Sequence, residues 1–116
     1  MKNLDPNSSI FSGILSRNKC FKTQKGHFVK DLRIIRSIDL KDMLLLDNES
    51  FAFSYQVDNG IPLLPWHGDE KDCELTYLTK YLITLKDCYD MRTVNRKHFK
   101  LHELALMECP EVVAFI

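Results

Sequence analysis

The sequence predicts an α/β domain: a parallel sheet with flanking helices and a β-hairpin insert. Three observations carry this. Met43-Leu44-Leu45-Leu46 is a continuous apolar run, too short for a helix, that stops abruptly at Asp47-Asn48. A strand apolar on both faces suits a parallel sheet whose two sides are covered by helices. The order along the chain is strand, hairpin, strand, strand, helix, an alternation typical of α/β architectures.

Taken in order, residues 1–9 are polar with an early proline and read as an entry loop. Ile10 to Ser16 is short and apolar-rich, as expected of a strand. Gln24-Lys25-Gly26 sits between two phenylalanine-bearing arms and predicts a hairpin over Phe21 to Lys30. After Met43–Leu46 comes an aromatic-rich stretch, Phe51 to Val57, closed by the turn signal Asp58-Asn59-Gly60. Ile61 to Trp66 reads as a second buried strand, and its two prolines put it at an edge or a strand end. Asp69 is a candidate cap for a helix from about Glu70 to Lys86, with Leu75, Leu78, Tyr81, Leu82 and Leu85 as its core stripe. Another helix is expected between Asp90 and Leu106, and residues 101–116 form a C-terminal tail. The whole chain, residues 1–116, is thus expected to be one partial domain.

Composition excludes more than it identifies. Sixteen basic and sixteen acidic residues cancel. No apolar run approaches the roughly 20 residues that span a bilayer, and no secretory signal is visible. A nuclear or cytoplasmic setting follows as the expectation, without direct contact to nucleic acid or membrane. Cys20, Cys73, Cys88 and Cys109 have no zinc-knuckle or redox spacing, so they read as reduced, mostly buried thiols. Charge is unevenly spread: Arg17 to Arg36 holds seven Lys/Arg and one acid, whereas Asp39 to Glu74 holds nine acids and two lysines. Such neighbouring blocks could serve phosphate and a divalent metal, or simply form two solvated faces.

The chemistry-bearing residues are Arg17, Lys30 and Asp47-Asn48. Carboxylates just past a parallel strand lie where open α/β sheets keep ligands. Taken without their neighbours, Lys30 reads as a surface cation and Asp47-Asn48 as a strand-ending turn. Their neighbours change the reading. Phe28-Val29-Lys30-Asp31-Leu32, Met43-Leu44-Leu45-Leu46-Asp47-Asn48, Asp58-Asn59-Gly60-Ile61-Pro62-Leu63, Pro65-Trp66 and Glu74-Leu75 occur in that order. Together they closely resemble the small phosphatases of the RNA polymerase II C-terminal domain, the NLI-interacting-factor branch of the haloacid dehalogenase superfamily. The resemblance runs from Asp5-Pro6 to Phe99.

That resemblance implies a partial haloacid-dehalogenase-like Rossmannoid fold and a Mg²⁺-dependent protein serine/threonine phosphatase acting through an aspartyl-phosphate. Lys30 matches the family's charge-balancing lysine, and Asn48 its direct Mg²⁺ ligand. Asp47 matches the carboxylate that orders the lysine and a metal-bound water, and Arg17 an arginine that holds the phosphopeptide. A phosphoserine protein is the implied substrate. The family's nucleophile motif, Asp-x-Asp-x-Thr, occurs nowhere in these 116 residues. The expectation is therefore a chain lacking the N-terminal nucleophile strand and inactive alone, its exposed sheet edge covered by an N-terminal half or by self-association. Two alternatives stay open: a non-catalytic binding module, or a relative of the mitochondrial presequence-translocase receptor subunit. That sister branch shares Val-Lys-Asp-Leu and Pro-Trp, but usually departs from Asp-Asn at the metal position. His98 and His102 are expected at the surface, and Trp66 as a core or subunit contact.

Overall fold

The computed structural model describes residues 4–103. Two small sheets carry the architecture. Strands β1 (Phe21–Lys22) and β2 (Phe28–Val29) form the expected antiparallel hairpin, with Phe21 opposite Val29. Gly26, at φ 86°, supplies the left-handed residue that this turn needs. Strands β3 (Leu45–Asp47) and β4 (Gly60–Pro62) pair in parallel, with Leu46 opposite Ile61. Among the described residues β3 has a strand on one side only. Helices α1 (Glu74–Leu85) and α2 (Met91–Phe99) follow.

The expected strand over Ile10–Ser16 does not form; the segment is irregular. The Asp5 carboxylate accepts hydrogen bonds from the backbone N–H groups of Ser9, Ile10 and Phe11, which curls the chain before it can extend. The Phe11 amide above all, with Ser9 and Ile10, holds the Asp5 carboxyl below its usual range against the opposing effect of burial.

Helix α1 begins later than Asp69. Asp69 instead accepts from the Lys71 N–H, and Asp72 from the Glu74 N–H, so two local turns precede the helix. Of its leucine stripe only Leu78 and Leu85 are buried, while Leu75 stands exposed. Helix α2 is capped by Asp90, which accepts from the Arg92 N–H, and stops where Lys100 turns left-handed at φ 54°. That break separates His98 from His102, so the two do not share a helix face. The expected extension towards Leu106 leaves the described residues beyond Glu103.

The core is small: Ala52, Phe53, Val57 and Leu101 pack together, with Leu45 and Phe99 against them. A 3₁₀ turn at Ser50–Phe53 delivers its centre. Two buried asparagines fix the frame. Asn59 donates to the carbonyls of Leu40 and Met43, and Asn95 to those of Asp58 and Gly60. Gly60 is required for space: a Cβ there would lie 2.5 Å from Cγ of the buried Phe53. Gly60→Ala is expected to cost about 1–3 kcal/mol by overpacking. Gly13→Ala, with nothing within 4 Å, is the neutral control. Urea unfolding checks both, and equal midpoints would refute the packing argument.

The thiols are less buried than expected: Cys73 is exposed and Cys20 and Cys88 are half-buried, Cys109 lying outside the described residues. Trp66 is not a core residue, being 69% exposed.

Candidate functional site

A cleft of about 1260 Å³ opens at the C-terminal end of β3, and Arg17, Lys30, Asp47 and Asn48 all line it. Each is positioned by local structure. Val29 is 1% exposed and points inward, so Phe28 and Lys30 on either side of it share the opposite, cleft-facing side. The Lys30 N–H donates to the Ala52 carbonyl (2.8 Å), tying the hairpin to the 3₁₀ turn. His27 stacks on Phe51 at 3.9 Å between ring centroids, which repeats that tie one step back. The Arg17 guanidinium lies 5.0 Å over the Phe28 ring, so this second cation is held beside the same strand.

The central contact is an ion pair. Lys30 Nζ donates to Asp47 Oδ2 at 2.5 Å across 17 residues. Asp47 Oδ1 accepts the Glu49 N–H at 2.8 Å, which fixes the carboxylate as the chain turns out of β3. The Asp47 side chain is 9% exposed and that of Lys30 46%, so a nearly buried carboxylate faces a cation open to the cleft. On its other side the Asp47 carbonyl accepts the Leu63 N–H (2.9 Å), continuing the β3–β4 ladder to the cleft edge. Asn48, the next residue, is exposed at the cleft.

Behind the hairpin, Asp31 forms a fork with Arg33 and accepts from the Gln56 amide, while Gln56 Oε1 accepts the Leu32 N–H. The Arg33 guanidinium holds the Asp31 carboxyl down at about 2, against burial that pushes it up. This network pins Val-Lys-Asp-Leu against the 50–57 segment and so sets where Lys30 emerges. Gln56 had no visible signal in the sequence, because its partners lie about 25 residues away.

The donors at the strand end are hard oxygens, as magnesium prefers. Among the described residues, no group of three or more His, Cys, Asp or Glu side chains is arranged to hold a metal ion. Nor is any helix among them long and apolar enough to cross a membrane.

Comparisons with known proteins concern the sequence. The chain is 40% identical over 101 residues to CTD small phosphatase-like protein 2 of Dictyostelium discoideum, covering 87% of this chain and 17% of that protein. It is 36% identical over 101 residues to CTD small phosphatase-like protein 3 of Caenorhabditis elegans, covering 86% and 34% respectively. It is also 37% identical over 83 residues to the mitochondrial import inner membrane translocase subunit TIM50 of Debaryomyces hansenii, covering 70% and 17%. The chain therefore spans 17–34% of the length of these relatives. A family model described as NLI interacting factor-like phosphatase matches residues 1–92, and the chain belongs to that phosphatase family.

Proposed function

We propose that this cleft is one side of a magnesium-dependent phosphoserine/phosphothreonine phosphatase site. One observation carries the reading: the Lys30–Asp47 ion pair stands in the same cleft as Arg17 and Asn48. A cation clamped to a carboxylate beside an open cleft suits an anion that gains charge in its transition state.

In this reading Lys30 Nζ stabilises the transferring phosphoryl group. Asp47 keeps Lys30 aimed and orients a water, and Arg17 holds the incoming phosphate. Asn48, with Asp47, offers oxygen donors to Mg²⁺, which when bound neutralises phosphoryl charge. Water, substrate and carboxylates from another stretch of polypeptide complete that donor set. The nucleophilic Asp-x-Asp-x-Thr comes from that stretch, whose strand covers the open edge of β3; self-association is the other way to cover it. The substrate is a phosphoserine protein such as the RNA polymerase II C-terminal domain, met in the nucleus or cytoplasm. The match to a translocase subunit supports a second, non-catalytic reading, but Asn48 beside Asp47 favours the phosphatase branch.

A polypeptide of these 116 residues is expected to leave p-nitrophenyl phosphate with Mg²⁺ unhydrolysed. Addition of a relative's segment bearing Asp-x-Asp-x-Thr is expected to restore turnover. Turnover by the chain alone, abolished in Asn48→Ala, would show that these residues hold a complete site. No rescue at high concentration of the added segment would argue for the non-catalytic reading.

A further inference from the structure

We propose that Tyr89, in the link between α1 and α2, is a phosphorylation site for an acid-directed tyrosine kinase, and that Lys41 holds the added phosphate.

The chain has four tyrosines, and the fold offers one of them. The Tyr81 hydroxyl is spent on Asn95 (3.0 Å), and its ring packs against His98 and Phe99. Tyr55 is half-buried, its ring 5.8 Å from that of Phe21 between centroids and 5.9 Å from the Arg33 guanidinium. Tyr77 is 65% exposed, but it sits in the first turns of α1 with its N–H bonded to the Cys73 carbonyl. Tyr89 differs from all three. It is 84% exposed, and no backbone hydrogen bond ties it among the described residues. A kinase takes its substrate as an extended stretch laid in a groove, so a residue already outside any helix needs no local unfolding.

Charge specifies the class of kinase. In Lys86-Asp87-Cys88-Tyr89-Asp90 two carboxylates flank the tyrosine, and Asp87 is exposed. An enzyme with a basic groove selects such a segment by complementarity. Its second substrate is ATP. The Tyr89 Oη–P bond forms as the γ-phosphoryl leaves ADP, and the phenolic proton passes to the kinase's own base.

The phosphate arrives beside a cation. Lys41 Nζ lies 5.0 Å over the Tyr89 ring and pairs with Asp42 (2.9 Å), whose side chain is half exposed and can return to water. A phosphate carries more charge and more acceptors than a carboxylate, so it takes Lys41 from Asp42. The α1–α2 link is then joined to the 3₁₀ turn at Leu40–Asp42.

The full chain is incubated with Mg-ATP and the catalytic domain of an acid-directed tyrosine kinase, and the sites are mapped by peptide mass spectrometry. Tyr89 is expected to be labelled about tenfold faster than Tyr77, because α1 must open before Tyr77 can be taken. Asp87→Asn is expected to slow labelling, and Tyr89→Phe to remove most of it. No label on Tyr89, or equal labelling of Tyr77, would overturn the site. A rate unchanged in Asp87→Asn would overturn the acid-directed class. Lys41→Ala is then compared by urea unfolding in the phosphorylated and unphosphorylated chains, and its midpoint is expected to fall further in the phosphorylated one. An equal fall in both would overturn the role of Lys41 while the site stands.

Discussion

On the proposed reading of the cleft, Lys30→Ala is expected to lower the turnover restored by the added segment by about 10²–10³, the usual cost of removing one fixed group that stabilises transition-state charge. The size of the effect comes from preorganisation. Lys30 does not search for its position: the Ala52 carbonyl holds its backbone, and Asp47 holds its ammonium. Asp47 is held in turn by the Glu49 amide. Lys30→Arg should not rescue, since a planar fork cannot repeat the compact contact of an ammonium with one carboxylate oxygen. Stability should behave differently. The lysine is nearly half exposed, so the ion pair contributes about 0–1 kcal/mol to folding. A melting temperature within a few degrees of the parent, beside a hundredfold loss of rate, is the expected pair of results. Turnover within threefold of the parent would remove Lys30 from the chemistry.

What the sequence revealed and what it concealed divides along range of interaction. Leu44–Leu46 announced a strand, which forms at Leu45–Asp47, but its leucines are half-buried and not fully buried, because among the described residues only β4 lies beside it. The hairpin was legible from Gly26 and its flanking phenylalanines. Lys30 and Asp47-Asn48 stood out as a candidate site only through the surrounding family words, and all three residues line one cleft. The misreadings are local competitions that composition does not decide. Ile10 to Ser16 has strand-like residues, yet the Asp5 carboxylate captures three amides and bends the chain. Asp69 has the chemistry of a cap, yet its side chain is spent on a turn two residues on, as that of Asp72 is. Leu75 has helical spacing with Leu78 and Leu85, but it lies in the first turn, facing the cleft. The buried amides were illegible altogether. Asn95 bonds main-chain carbonyls 35 and 37 residues away, and no local pattern encodes such a partner.

That asparagine carries the largest expected effect on folding. Asn95 is 1% exposed, and its amide nitrogen donates to the Asp58 carbonyl (2.8 Å) and the Gly60 carbonyl (2.7 Å). Its amide oxygen accepts from the Tyr81 hydroxyl (3.0 Å), so one side chain links α1, α2 and the start of β4. Asn95→Ala strands two carbonyls and a hydroxyl in or near the interior. At about 1–3 kcal/mol for each buried group left unsatisfied, with partial relaxation, the loss should reach about 3 kcal/mol. Set against the roughly 5–15 kcal/mol by which domains are stable, that is a large share. Asn95→Asp should be no better, because a carboxylate has no proton to offer the two carbonyls and is itself costly to bury. The Arg96–Asp58 ion pair one residue along does not compensate, being half exposed on the arginine side. The consequence reaches the cleft, since β4 is the ladder partner of β3 and the Leu63 amide holds the Asp47 carbonyl. Urea unfolding of the parent and both variants measures the loss; a drop below 1 kcal/mol would mean that α2 is secured to the sheet by packing and not by this amide.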